Sequence, residues 1–251
     1  MIKELDSPFR LVGVNRKVKD VSILSGMTFD VSAGERIAVL GPSGAGKTTL
    51  LRLLSVQILP DTGFIELFGS DTSYLRPGRD LSRAVGIISQ QFDLVSNMSV
   101  IHNVLAGRLG EWSLFKSLYS LVSIRDPEVA LNALNVMGLM GKEGLRVSQL
   151  SGGEQQRVAI ARLMVQDPRI IIADEPVASL DPERSNEIMS LIEGVVVDRK
   201  KTLIATLHSL KLAHRYFDRA IGIRKGKIYF DVPTSSLTER ILNELYRIDH
   251  D

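Results

Sequence analysis

Cysteine is absent from the 251 residues, which excludes disulfides and thiolate metal sites and fits a reducing compartment. No apolar run approaches the roughly 18 residues that a membrane span needs, so the chain is expected not to cross a bilayer by itself. Met1 to Arg10 carries Lys3, Glu4 and Asp6 and has no apolar stretch, so it does not read as a signal peptide. An excess of one charge is missing too. With 31 basic and 29 acidic residues the net charge is +2, and charge alone gives no argument for nucleic acid as a partner. No internal repeat or low-complexity segment is visible. What remains is ordinary globular composition, 44% hydrophobic and 24% charged, enough for one large domain or a domain with a subdomain.

Against that plain background one stretch stands out: Gly41-Pro42-Ser43-Gly44-Ala45-Gly46-Lys47-Thr48-Thr49. It fits G-x-x-x-x-G-K-[ST], the phosphate-cradling loop. Arg36 to Leu40 before it is short, apolar and β-branched, as a buried strand is. Leu50, Leu51, Leu53 and Leu54 after it fall at helical spacing. Three glycines let consecutive backbone N–H groups converge on an oxyanion, and the following helix turns its positive end to the same point. Lys47 supplies a full charge for the β- and γ-phosphates, and Thr48 a hydroxyl for Mg²⁺.

Phe9 to Val14, Met27 to Val31, Phe64 to Phe68 and Ala84 to Ser89 read as further strands, so the first ninety residues form a β-rich layer around one phosphate-binding helix. From Ser99 to Gln166 the pattern turns helical. Asp126-Pro127-Glu128 is a helix start, with a capping oxygen, Pro at the first position and an acid in the first turn. Trp112, Leu114, Phe115, Leu118, Leu121 and Val122 make an apolar stripe, either helix packing or a surface for a membrane partner. From Ile170 strands (Ile170 to Ala173, Leu203 to Leu207, Ala220 to Ile223) alternate with helices (Ser185 to Val197, Ser209 to Tyr216), which implies a parallel sheet with helices on its faces. Lys227 to Phe230 reads as a last strand and Ser235 to Ile248 as a closing helix. The basic clusters Arg199-Lys200-Lys201 and Arg224-Lys225 read as solvated faces.

Ile170 to Ala173 ends in Asp174-Glu175. A carboxylate at a buried strand tip is held rigidly near a metal, so Asp174 can hold Mg²⁺ through water, and Glu175 can orient or deprotonate an attacking water. Leu150-Ser151-Gly152-Gly153-Glu154-Gln155-Gln156-Arg157 offers a second anion site, with backbone N–H groups, a hydroxyl and a helix dipole. This stretch matches the signature motif of the ATP-binding subunits of ABC transporters, and the sequence resembles that family over essentially its whole length.

The resemblance implies an α/β fold: a P-loop NTPase (RecA-like) core over 1–95 and 167–251, with an N-terminal antiparallel β-subdomain and an inserted α-helical subdomain over 96–166. It implies ATP and Mg²⁺ as ligands. By the family's pattern Gln90 senses Mg²⁺ and the transport partner, and metal contact falls to Thr48, Gln90 and Asp174. Ser179-Leu180-Asp181 matches the D-loop, and His208 matches the switch histidine at the γ-phosphate. Catalysis would rest on Glu175, His208 and Lys47. His102, His214 and His250 match nothing in the pattern. The family usually carries an adenine-stacking aromatic about 23 residues before the loop. That position is Val18 here, with no Tyr, Phe or Trp between Arg10 and Gly26, so an aliphatic contact or weaker adenine selectivity is expected.

The resemblance also implies a head-to-tail dimer, in which ATP at Lys47 of one copy is closed over by Ser151, Gly152 and Gly153 of the other. The transport path would lie on separate permease subunits, with a solute-binding protein as an indirect partner, no nucleic acid involved, and the chain peripheral on the cytoplasmic face of the inner membrane. Asn103 to Gly110, Ala173 to Glu183 and Thr206-Leu207-His208 look most like the phosphonate importers, with phosphate and phosphite relatives close by. An exporter or lipid-extraction ATPase, and a soluble non-transport ABC ATPase, remain as alternatives.

Overall fold

The hairpin that opens the chain forms where apolar residues fall on one face. In the computed structural model, which describes residues 7–111, 127–178 and 180–247, β1 (Phe9–Val18) pairs antiparallel with β2 (Val21–Val31). Both strands run further than the sequence predicts. From Asn15 to Ser22 no residue is buried, so the outer half of the hairpin carries no hydrophobic pattern to read. The chain continues through β3 (Arg36–Leu40), α1 (Lys47–Leu54), β4 (Thr62–Leu67), β5 (Ser70–Asp71), α2 (Arg79–Ala84) and β6 (Val85–Ile88). Then come α3 (Val100–Leu105), α4 (Pro127–Val136), α5 (Gly152–Gln166), β7 (Ile170–Ala173), α6 (Pro182–Val197), β8 (Thr202–Thr206), α7 (Leu210–Tyr216), β9 (Arg219–Arg224), β10 (Lys227–Pro233) and α8 (Glu239–Tyr246).

Two sheets result. One is antiparallel, ordered β2-β1-β4-β5. The other is ordered β10-β9-β3-β8-β7-β6; β9 through β6 are parallel, and β10 is an antiparallel edge. The parallel strands read as unbroken apolar runs because both of their faces are covered. Their alternating residues enter two separate cores. Ile37, Val39, Ile170, Ile172 and Ile204 join Phe9, Leu11, Leu50 and Leu53 between the two sheets. Ala38, Leu40, Ile171, Ala173, Leu203 and Ala205 join Val104, Leu134, Val158 and Ile192 under the helices. α1 is thereby held between the sheets, and the helical segment shares its core with the central sheet.

Several boundaries shift for physical reasons. The predicted strand from Ala84 starts at Val85, because Arg79–Ala84 is a six-residue helix too short and too polar to show a period. The predicted helix from Ser235 starts at Glu239, after a separate 3-10 turn over Thr234–Ser236 and a Thr238 cap whose hydroxyl accepts the Ile241 N–H at 3.3 Å. The basic clusters are solvated only in part: Arg199, Lys200 and Lys225 are exposed, Arg224 is half-buried and Lys201 is buried. Lys201 is 5% exposed; its ammonium donates to Asp167 at 2.7 Å and to the Pro168 carbonyl, and Arg199 pairs with the same Asp167. Arg224 holds the end of α8 through the carbonyls of Glu244 and Arg247. The stripe 112–122, Asp126 and Ser179 lie outside the described residues.

Candidate functional site

β3 lies between β8 and β9 in the parallel sheet, so the loop that leaves its C-terminal end emerges where open α/β sheets bind ligands. Two glycines in that loop are sterically required. A methyl at Gly41 would sit 2.2 Å from the Ile223 carbonyl oxygen. Gly46 has φ +103, and a methyl there would sit 2.7 Å from Leu24 Cδ2. Lys47 is buried, and its Nζ donates to the carbonyls of Gly41 at 2.7 Å and Pro42 at 3.1 Å. Burial lowers its pKa, while the nearby carboxylates of Glu175 and Asp174 act the other way. At the same residue, the Gly41 N–H donates to the Tyr246 hydroxyl at 3.3 Å. Burial raises the Tyr246 pKa against that bond.

The acid pair hangs from β7. The Asp174 N–H donates to the Ile88 carbonyl at 2.9 Å, continuing the parallel ladder one residue past the strand. Glu175 then turns into the left-handed region, with φ +49, a conformation a non-glycine residue holds only when its surroundings impose it. Its carboxylate meets two of the residues named from sequence: His208 Nε2 lies 3.0 Å from Oε1, and Gln90 Nε2 donates to Oε2 at 3.4 Å. Thr206, fully buried at the end of β8, donates to Asp174 Oδ1 at 2.8 Å and accepts the Glu175 N–H at 2.6 Å.

Thr48, Gln90 and Asp174 line one cleft of about 420 Å³, together with Ser89, whose hydroxyl is buried without a hydrogen-bond partner. A hydroxyl, an amide and a carboxylate are hard oxygen donors. That donor set fits Mg²⁺, which keeps several waters and takes its remaining ligands from phosphate.

Ser151 caps α5 through a reciprocal box. Its N–H and its hydroxyl donate to Glu154 Oε2, each at 2.8 Å, and its Oγ accepts the Glu154 N–H at 3.4 Å. The Lys142 ammonium also bonds Glu154, and these contacts pull the Glu154 carboxyl down to about 2. With the acid inside the box, the first-turn N–H groups of Gly152 and Gly153 are left without intrahelical acceptors. Ser151, Gly152 and Gly153 line a second cleft, of about 900 Å³, with Gln90 and Glu175; among the described residues none of Gly41 to Thr49 lines it. One copy therefore joins Glu175, Gln90 and His208 directly but keeps its signature turn away from its own phosphate loop. Gln156 donates to the Pro176 carbonyl and ties the signature helix to the segment after the acid pair. Asp181 caps α6, its Oδ1 accepting the Arg184 N–H at 2.9 Å. Val18 sits half-exposed at the outer end of the β1–β2 hairpin, whose second strand backs onto the loop at Leu24.

Sequence reasoning missed Thr206 and Tyr246. Thr206 was readable only as a lone hydroxyl at the tip of an apolar strand, and Tyr246 carries no local signal.

Comparison with known proteins agrees with this geometry. The family model described as ABC transporter matches residues 24–178. The Phosphonates import ATP-binding protein PhnC of Anaeromyxobacter dehalogenans is 43% identical over 239 residues, which is 94% of this chain but 47% of that relative; the chain thus spans about half of that protein. The protein of the same description from Lactococcus lactis subsp. cremoris is 40% identical over 89% of this chain and 92% of its own length. Among solved structures, a dimeric ATP-binding cassette in a post-hydrolysis state, bound to ADP and Pi, superposes with a TM-score of 0.75 at 26% identity over 91% of this chain and 100% of that one.

Proposed function

This chain belongs to the ABC transporter family, and from that premise we propose that it is the ATP-hydrolysing subunit of a phosphonate importer, working as a head-to-tail pair of copies beneath a separate permease. The observation that carries the reading is the Glu175 carboxylate, held between His208 and Gln90, with Gln90 in turn lining the cleft that holds Asp174 and Thr48.

Each group has a chemical task. The loop N–H groups, the end of α1 and Lys47 bind the β- and γ-phosphates of ATP. Thr48, Asp174 and Gln90 hold Mg²⁺, which when bound neutralises charge on the phosphates. Glu175 orients a water and accepts its proton as the water oxygen bonds to the γ-phosphorus and the bond to ADP breaks. His208 positions Glu175 and reaches toward the γ-phosphate. The exposed turn Ser151-Gly152-Gly153 meets the γ-phosphate bound to a second copy, which supplies the donors that one copy leaves out. The D-loop at Asp181 would run along that interface. Docking to the permease places the chain at the cytoplasmic face of the membrane, with a solute-binding protein as an indirect partner and no nucleic acid involved. The phosphonate assignment rests on the description of the relatives; this subunit does not itself touch the transported solute.

The test uses Glu175→Gln, a near-isosteric change. It is expected to lower kcat by roughly a hundredfold or more, keep ATP binding, and shift the protein to a dimer in ATP on size exclusion. A Glu175→Gln protein that turned over ATP like the parent, or stayed monomeric with ATP bound, contradicts the reading. For the solute, the chain reconstituted with its permease and binding protein is expected to hydrolyse ATP faster with a phosphonate present, and an unresponsive rate rejects that assignment.

A further inference from the structure

Thr206 is the one polar side chain inside β8 at the level of the acid pair. Register places it there: Ala173 pairs with Ala205 and Ala205 with Ala38, so Thr206 flanks Asp174 on one side and Val39 on the other. It is 0% exposed. Its single hydroxyl makes two bonds of opposite sense, donating to Asp174 Oδ1 at 2.8 Å and accepting the Glu175 N–H at 2.6 Å. Because the one hydroxyl proton is committed to Asp174, Oδ1 must accept, and the second carboxylate oxygen is the one that would be free to serve a cation. Because the lone pair is committed to Glu175, the backbone at Glu175 is anchored where it enters the left-handed region at φ +49. That turn aims the Glu175 carboxylate back at His208 and Gln90.

Resting on the ATPase reading above, we infer that Thr206 is a positioning residue for hydrolysis: its hydroxyl fixes the metal-side orientation of Asp174 and the catalytic orientation of Glu175 together. An apolar strand residue at this place would serve the sheet equally well, since β-branched residues suit strands and the neighbours Ala205 and Val39 are apolar. A hydroxyl there otherwise carries a desolvation cost, and the two bonds to the acid pair offset it.

The experiment compares Thr206→Val, which keeps the shape and removes the hydroxyl, with Thr206→Ser, which keeps the hydroxyl, and with Glu175→Gln, all in the full chain. Thr206→Val is expected to lower kcat roughly tenfold to a hundredfold while the KM for ATP changes less than about threefold, the size expected for hydrogen bonds to a charged group. It is also expected to weaken Mn²⁺ binding to the ATP-bound protein about tenfold, read by electron paramagnetic resonance. Thr206→Ser should restore both to within about threefold of the parent. Thr206→Ala serves as a second hydroxyl-free variant if the valine protein fails to fold by circular dichroism. Parent-like kcat and Mn²⁺ affinity in a folded hydroxyl-free variant overturn the inference, as does a serine variant as impaired as valine. A parent that hydrolyses no ATP, or a Glu175→Gln that hydrolyses it normally, instead sinks the function it rests on, so the two failures are separable.

Discussion

At Val18, where the family resemblance leads one to expect an aromatic, the side chain is half-exposed on the outer end of a hairpin. An aliphatic side chain there offers adenine less area than a ring and no stacking. Val18→Tyr is expected to lower the KM for ATP severalfold, since an aromatic stack contributes about 0.5–1.5 kcal/mol, and to widen the preference for ATP over GTP. Steady-state kinetics with both nucleotides check it, and an unchanged ratio argues that the base is gripped elsewhere. Single residues also mark the limit of reading from sequence. Gly41, Lys47, Asp174 and Glu175 were legible because their spacing is local and their chemistry is diagnostic. Thr206 was not, because its meaning lies in a partner 32 residues away that only strand register brings alongside. Lys201 was misread as solvated because its partner, Asp167, is likewise distant in sequence.

At the scale of elements, α1 ends in a Schellman turn. The Val56 N–H donates to the Leu53 carbonyl and the Gln57 N–H to the Arg52 carbonyl, both at 3.0 Å. The residue that must be left-handed there is Val56, at φ +57, where glycine or asparagine is the usual occupant. A β-branched side chain in that conformation costs about 1–2 kcal/mol. Val56 is only partly buried, so Val56→Asn is expected to raise the unfolding midpoint, and a lowered midpoint in thermal melts shows that the lost packing outweighs the relieved strain. The signature helix α5 supplies a second expectation. Glu154 is held near 2 against an ordinary 4.5, by Lys142 first and then by Ser151. A depressed carboxyl stabilises the fold in full above its ordinary value and progressively less as pH falls toward 2. The midpoint difference between parent and Glu154→Gln in urea is therefore expected to shrink between about pH 4.5 and 2; a constant difference sinks it. Elements with buried faces, such as β3 and β7, were readable. α2 and the outer hairpin were not, because six residues or a half-exposed strand carry too little periodicity.

Across the whole molecule two carboxylates that join distant parts of the chain, Asp218 and Asp167, are shifted the same way. The Arg36 guanidinium holds Asp218 below the usual range against burial. Burial pushes Asp167 up, but Lys201 and Arg199 together bring it below its ordinary value. Both belong to the fold's framework, tying β3 to the start of β9 and the end of α5 to β8. Their stabilisation is present in full above the ordinary aspartate value and is lost progressively as pH falls below it, through the lowered value of the folded state. Exposure and salt screen each bond to at most about 1 kcal/mol, so the thermal midpoint is expected to decline gradually below about pH 4; a midpoint flat down to pH 3 rules this out. The architecture itself was legible because one loop and one signature turn fix so much of it, whereas the split of every central strand between two cores becomes visible only in three dimensions.

Lys47 shows what such an arrangement does for turnover. Its ammonium already has two carbonyl companions within its own loop, so on the proposed function an arriving polyphosphate would have to win the charge from the protein, and a departing one would return it. Capture and discharge would then be governed by the same side chain, the two loop carbonyls standing ready to take the lysine back after each round.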